Sequence, residues 1–84
     1  MNQECELCGR RADCDRHHLI GGTANRKNAE KYGLVMYLCR DCHKKAHEDP
    51  ETYKMLHRVG QRRFVNSGCG KTEDFIRIFG KSYF

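Results

Sequence analysis

Six cysteines and five histidines in 84 residues hold most of this chain's capacity for chemistry. Four of the cysteines fall into two close pairs, Cys5-Glu-Leu-Cys8 and Cys39-Arg-Asp-Cys42. Two intervening residues allow a tight turn to aim both sulfurs at one ion. Two such turns complete a tetrahedral Cys₄ site for structural zinc. A redox-active CxxC would need a βαβ setting, and no such pattern surrounds either pair. A mixed site of Cys39, Cys42 and His47 is the competing arrangement. Cys14 is a further option as ligand but has no partner at the right spacing, and Cys14 and Cys69 read as free thiols or packing residues.

Four histidines, His17, His18, His43 and His47, lie in or beside this cysteine frame; His57 stands apart and reads as an ordinary surface residue. His43 and His47 are one helical turn apart and share a face, so both can reach one metal. His43 directly follows Cys42, so the zinc turn would fix its position. His17 and His18 are neighbours, and neighbours on a regular strand point to opposite faces. Both can serve one site if the strand bends or if substrate lies between them. Hydrolysis of a phosphodiester fits this set. An imidazole free of metal takes a proton from water near neutral pH. A divalent cation stabilises charge on the phosphate and the leaving oxygen.

The order of these residues resembles the HNH, or His-Me finger, endonucleases, over about residues 5–47. The motif reads Cys5-Glu-Leu-Cys8, Asp15-Arg-His17-His18-Leu-Ile20, Asn25-Arg-Lys-Asn28 and Leu38-Cys39-Arg-Asp-Cys42-His43-Lys-Lys-Ala-His47. The whole chain, with Glu30-Lys-Tyr-Gly-Leu34 and the ending Ile78-Phe-Gly-Lys-Ser82-Tyr, is similar to small HNH proteins encoded by phages and prophages. The resemblance implies an α+β fold: a zinc-stabilised ββα-metal, treble-clef-like core with additional C-terminal helices. It implies His18 as general base, with His17, His43 and His47 on a catalytic divalent metal. An Asn, Asn25 before Asn28, would orient the base or pin the loop. His17 stands where this family often has Asp. An imidazole-rich site leans toward zinc, nickel or manganese, with magnesium one candidate among them.

These side chains need elements to place them. Residues 1–15 read as a knuckle in which Gly9 permits the turn after the second thiol. Arg16 to Ile20 reads as a short strand that Gly21-Gly22-Thr23 ends. Ala24 to Gly33 is polar and basic, and reads as a loop or one loose helical turn. Leu34 to Leu38 is an apolar β segment running into Cys39. Asp41 to Glu48 reads as a short helix. Asp49 caps a longer helix that opens on Pro50 and runs to about Asn66. Tyr53, Leu56, Val59, Gly60 and Phe64 form its apolar face. Thr72 would cap a last helix striped by Phe75, Ile78 and Phe79, so residues 50–84 form a helical extension.

With 84 residues, 38% of them hydrophobic and no Trp, the chain makes one domain with a thin core. Zinc would supply on the order of 10 kcal/mol of folding free energy to offset that. The N-terminus lacks a basic region followed by an apolar run, and no stretch suits a bilayer. A cytoplasmic, intracellular setting with reduced thiols follows. A net charge of +5 suits a polyanion, DNA first. Arg16, Arg26, Lys27, Lys44 and Lys45 are the expected phosphate contacts, which position a substrate without reading its sequence. The small size suggests a homodimer or protein partner to add specificity. Two other functions compete with the nuclease: a non-catalytic zinc-dependent nucleic-acid-binding module, and an interaction scaffold. Binding alone does not need the adjacent His17-His18 pair, and a scaffold does not need the basic charge.

Overall fold

The structure is a computed structural model that describes residues 2–84, apart from the side chains of residues 23 and 24. It is a small α+β domain of three antiparallel strands and four helices. Strands β1 (Asn2–Glu4), β2 (Arg11–His18) and β3 (Val35–Cys39) lie side by side in that order. Helix α1 (Thr23–Lys31) links β2 to β3, and α2 (Arg40–Glu48), α3 (Pro50–Asn66) and α4 (Thr72–Phe79) follow.

The first cysteine pair sits in the turn between β1 and β2. Gly9 donates to the Cys5 carbonyl at 2.9 Å and Cys5 to the Arg10 carbonyl at 2.8 Å. Gly9 has φ 79°, a conformation that costs a residue with a Cβ more than glycine. Glu6 N–H donates to Tyr37 O at 3.0 Å, tying this turn to β3. β2 and β3 pair with Cys14 opposite Cys39 and His18 opposite Val35. Cys39 then serves as the residue before the first turn of α2. One strand pairing therefore fixes both cysteine pairs and both ends of the histidine set.

Two elements differ from the sequence reading. β2 covers Arg11–His18 rather than Arg16–Ile20, because its pairing starts at β1; Leu19 and Ile20 follow the strand and are fully buried. Residues 24–33, read as a loop or a loose turn, hold most of a nine-residue helix. A polar segment this short does not form a helix on its own. Tertiary packing holds it through the buried Ala29, and its end is locked by paired bonds, Leu34 N–H to Ala29 O at 2.8 Å and Gly33 N–H to Glu30 O at 3.2 Å. That pairing, with Gly33 at φ 70°, is the glycine stop of a Schellman motif.

α3 begins as expected: the Asp49 carboxylate accepts from Thr52 N–H at 3.2 Å, and Pro50 occupies the first turn. Leu56, Gly60 and Phe64 are buried, but Tyr53, expected in the same stripe, is exposed. A Cβ on Gly60 would stand 2.9 Å from Ile20 Cδ1 and 3.0 Å from Leu19 Cβ, so glycine allows α3 to close on the end of β2. α4 carries the expected stripe, with Phe75 and Phe79 buried and Ile78 partly so. Rings of Tyr32, Phe64, Phe75 and Phe79 form the aromatic half of the core, with Phe64 and Phe75 centroids 5.6 Å apart and edge to face. Among the described residues no helix is long and apolar enough to cross a membrane.

Candidate metal centres and the histidine cleft

Cys5, Cys8, Cys39 and Cys42 converge, with their sulfurs all within 4.8 Å of one another. The Cys8 and Cys39 sulfurs are 3.8 Å apart. A tetrahedron with metal–sulfur distances of about 2.3 Å has an edge of about 3.8 Å, so the group fits a structural ion such as zinc. Cys5, Cys39 and Cys42 are buried and Cys8 is exposed. Burial works to raise the Cys5 thiol, but the backbone N–H groups of Cys8, Cys39 and Leu7 outweigh it and bring it down to about 6. Burial pushes the Cys42 thiol well up. The turns thus supply N–H groups to sulfur before any ion is added. Cys14 and Cys69 stand outside the group. The Cys14 thiol points to the carbonyls of Ala12 and Gln3, and Cys69 lies exposed beside Ser67 Oγ.

The second group is His17, His43 and His47, whose ligand nitrogens also lie within 4.8 Å of one another. Strand alternation aims Asp15 and His17 at α2 and leaves Arg16 and His18 on the other side. The His17 ring meets the rings of His43 and His47 edge-on, at 5.2 and 5.4 Å. His43 Nδ1 faces Asp15 Oδ2 at 3.1 Å, and a carboxylate accepts, so Nδ1–H donates. That leaves His43 Nε2 as a lone pair, 3.3 Å from His47 Nε2. Two imidazole nitrogens at that distance match neighbouring ligands on one ion with bonds of about 2.1 Å. Burial, followed by His43 and His47, pushes the His17 imidazole down to about 4. His17 is therefore neutral at ordinary pH, the form that coordinates a metal.

His18 lies on the opposite face of β2 from His17 but opens into the same cleft, of about 450 Å³. Arg16, Arg26, Gly21, Gly22, Tyr53 and His57 line that cleft together with all four site histidines and Ala46. Among the described residues the lining holds two arginines and no carboxylate. His18 Nε2 is 2.9 Å from Glu30 Oε1, and Glu30 Oε2 accepts from Arg16 at 2.6 Å. Among the described residues Asn25 makes no hydrogen bond to His18: its amide donates to Gly21 O at 3.1 Å and pins the turn after the strand. Asn28 gives its backbone carbonyl to Tyr32. Lys27 is exposed on α1. Lys44 and Lys45 are exposed on α2 around a separate hollow with Asp41, Glu48 and Asp49, outside the cleft.

His57 overturns its sequence reading as a surface residue: it is 3% exposed. Its Nδ1–H donates to Tyr53 O at 2.8 Å, and Gly21 N–H donates to its Nε2 at 3.1 Å. Both ring nitrogens are satisfied in one neutral tautomer. Burial lowers its basicity, while the Tyr53 carbonyl opposes the shift. Glu30, Asp15 and His57 are the site neighbours that sequence spacing missed. Asp15 alone left a signal, two residues before His17 and so on the same strand face.

No curated protein and no solved structure matches the chain. Residues 1–66, which hold both metal-ligand groups and the cleft lining, match DUF968, a family described as a protein of unknown function, and the chain belongs to that family.

Proposed function

We propose that this protein is a metal-dependent HNH endonuclease that hydrolyses DNA phosphodiester bonds. In this reading β2, β3 and α2 form the ββα-metal core, and the Cys₄ group holds structural zinc. The observation that carries it is the convergence of His17, His43 and His47 at a cleft that also contains His18 and two arginines.

His17, His43 and His47 would hold the divalent cation, which when bound supplies Lewis-acid stabilisation of phosphate charge. Three imidazoles favour manganese, nickel or zinc over magnesium. His18 acts as general base. Glu30 accepts from its Nε2–H, which leaves Nδ1 to take the proton from water. Glu30 thereby orients the base, one of the two roles offered for Asn25 by the sequence, and Asn25 takes the other, pinning the loop through Gly21 O. Arg16 and Arg26 hold the phosphate, while Lys44 and Lys45, set around a hollow with Asp41, Glu48 and Asp49, stand outside this contact.

The test is plasmid cleavage with magnesium, manganese, nickel or zinc, beside a His18→Ala variant that keeps its zinc. Removal of a general base costs about 10²–10⁴-fold in rate, and that loss is expected here. Salt-dependent DNA binding without cleavage by either protein in any metal would replace the nuclease with the non-catalytic binding module.

A further inference from the structure

Tyr53 is the one large exposed aromatic side chain, among the described residues, in the lining of the histidine cleft. It is 42% exposed, on the first turns of α3. Its ring is backed by the His57 ring, with centroids 4.0 Å apart and planes tilted by 33°. His57 is itself held by two hydrogen bonds and by the Tyr83 ring at 4.7 Å. An aromatic face set on a fixed backing loses little freedom when a flat ligand lands on it. Gly21 and Gly22, also in the lining, offer backbone and no side chain there. The same cleft holds Arg16, Arg26 and the metal-binding histidines.

We infer that the Tyr53–His57 pair is a stacking platform for one unpaired nucleobase, placed beside the phosphate site. The substrate is then nucleic acid with a single-stranded or extruded nucleotide at the cut. This rests on the nuclease reading for the cut and on the cleft alone for the binding. A base inside an intact duplex is covered on both faces by its neighbours, so a protein aromatic reaches a base face only where the stack is open. A cleft of about 450 Å³ is a pocket for a nucleotide-sized ligand, not a groove for a duplex. Stacking accepts every base, which agrees with the lack of an evident base-reading element.

The experiment compares the zinc-loaded protein with Tyr53→Ala and Tyr53→Phe, each shown to keep its zinc and its melting transition. The probes are a 2-aminopurine-labelled single strand without self-complementarity and a blunt duplex of the same sequence. Wild type and Tyr53→Phe should bind the single strand and quench the 2-aminopurine; Tyr53→Ala should bind about tenfold more weakly and not quench it. Quenching that Tyr53→Ala abolishes supports the platform even where no metal produces cleavage, an outcome that sinks only the nuclease reading. Equal single-strand affinity for wild type and Tyr53→Ala, or tighter binding of the blunt duplex than of the single strand, overturns the platform.

Discussion

The two ligand groups share the β2–β3–α2 frame yet are built on opposite terms. The cysteine group is closed: three of its four residues are buried, its turns lend N–H groups to sulfur, and Arg10 and Asp41 beside it pair with each other at 3.0 Å on the surface. The histidine group is open: His47 is exposed, the group lines a cleft, and one carboxylate, Asp15, stands behind the His43 ring. A closed tetrahedral set suits structure, while a set with room beside it suits chemistry. The difference predicts that the fold leans on the cysteine group and the chemistry on the histidine group, and that contrast can be broken one side at a time.

The largest effect should come from the closed side. Cys39→Ser removes one of four ligands from a domain whose core is thin, so it should abolish the cooperative melting transition. Structural zinc contributes on the order of 10 kcal/mol to such folds, more than a small domain has in reserve. His47→Ala should leave the melt within about 1 kcal/mol, since the side chain is exposed. Circular dichroism with metal counting by mass spectrometry checks both. A folded Cys39→Ser with a full zinc complement would erase the distinction between the two groups.

A smaller effect should follow from Asp15→Asn. The substitution keeps the shape of the side chain but removes the charge that holds His43 Nδ1–H. Partners of this kind are worth about 10–100-fold in metal affinity. Titration with manganese or nickel should show that loss at the histidine site, with the cysteine-bound zinc unchanged. An unaltered affinity would mean that α2 alone aims His43.

How much of this was legible in the sequence follows the range of the interaction. Cys5-x-x-Cys8, Cys39-x-x-Cys42 and the His43–His47 spacing are local, and the structure gathers them as read. The Asp49 cap and Pro50 are local too, and the helix starts there. α1 was not legible because its stability comes from burying Ala29, not from its polar sequence. Glu30 reaches His18 from 12 residues away and from another element, and Gly21 reaches His57 from 36, so no local periodicity signals either contact. Tyr53 failed as a core residue for a related reason. It lies on the ridge with His57 and Gln61, both buried, but that ridge leaves the core at its first turn and meets the cleft instead.

The smallest effect concerns a histidine in neither group. His57 is neutral, with one nitrogen donating to Tyr53 O and the other accepting from Gly21 N–H; protonation would set two N–H groups against each other. The groups around it, Tyr53, Tyr83 and Lys81, offer no carboxylate to support a positive charge. Its folded-state basicity therefore lies below the ordinary value of 6.5, with burial as the main cause. The unfolded chain then binds the proton more readily. The stability that His57 contributes is complete above pH 6.5 and declines as pH falls through its depressed folded value. His57→Gln in zinc-saturated protein should flatten the melting-temperature curve below pH 6.5 relative to wild type. Acid also releases zinc from thiolates, so the readout is the difference between the two curves, with bound zinc counted at each pH. Parallel curves would place the acid sensitivity elsewhere, in the cysteine group or in the buried His17. Converging curves at low pH would show that the fold around the open site has its own pH limit, set by the residue that fixes Gly21 and backs Tyr53.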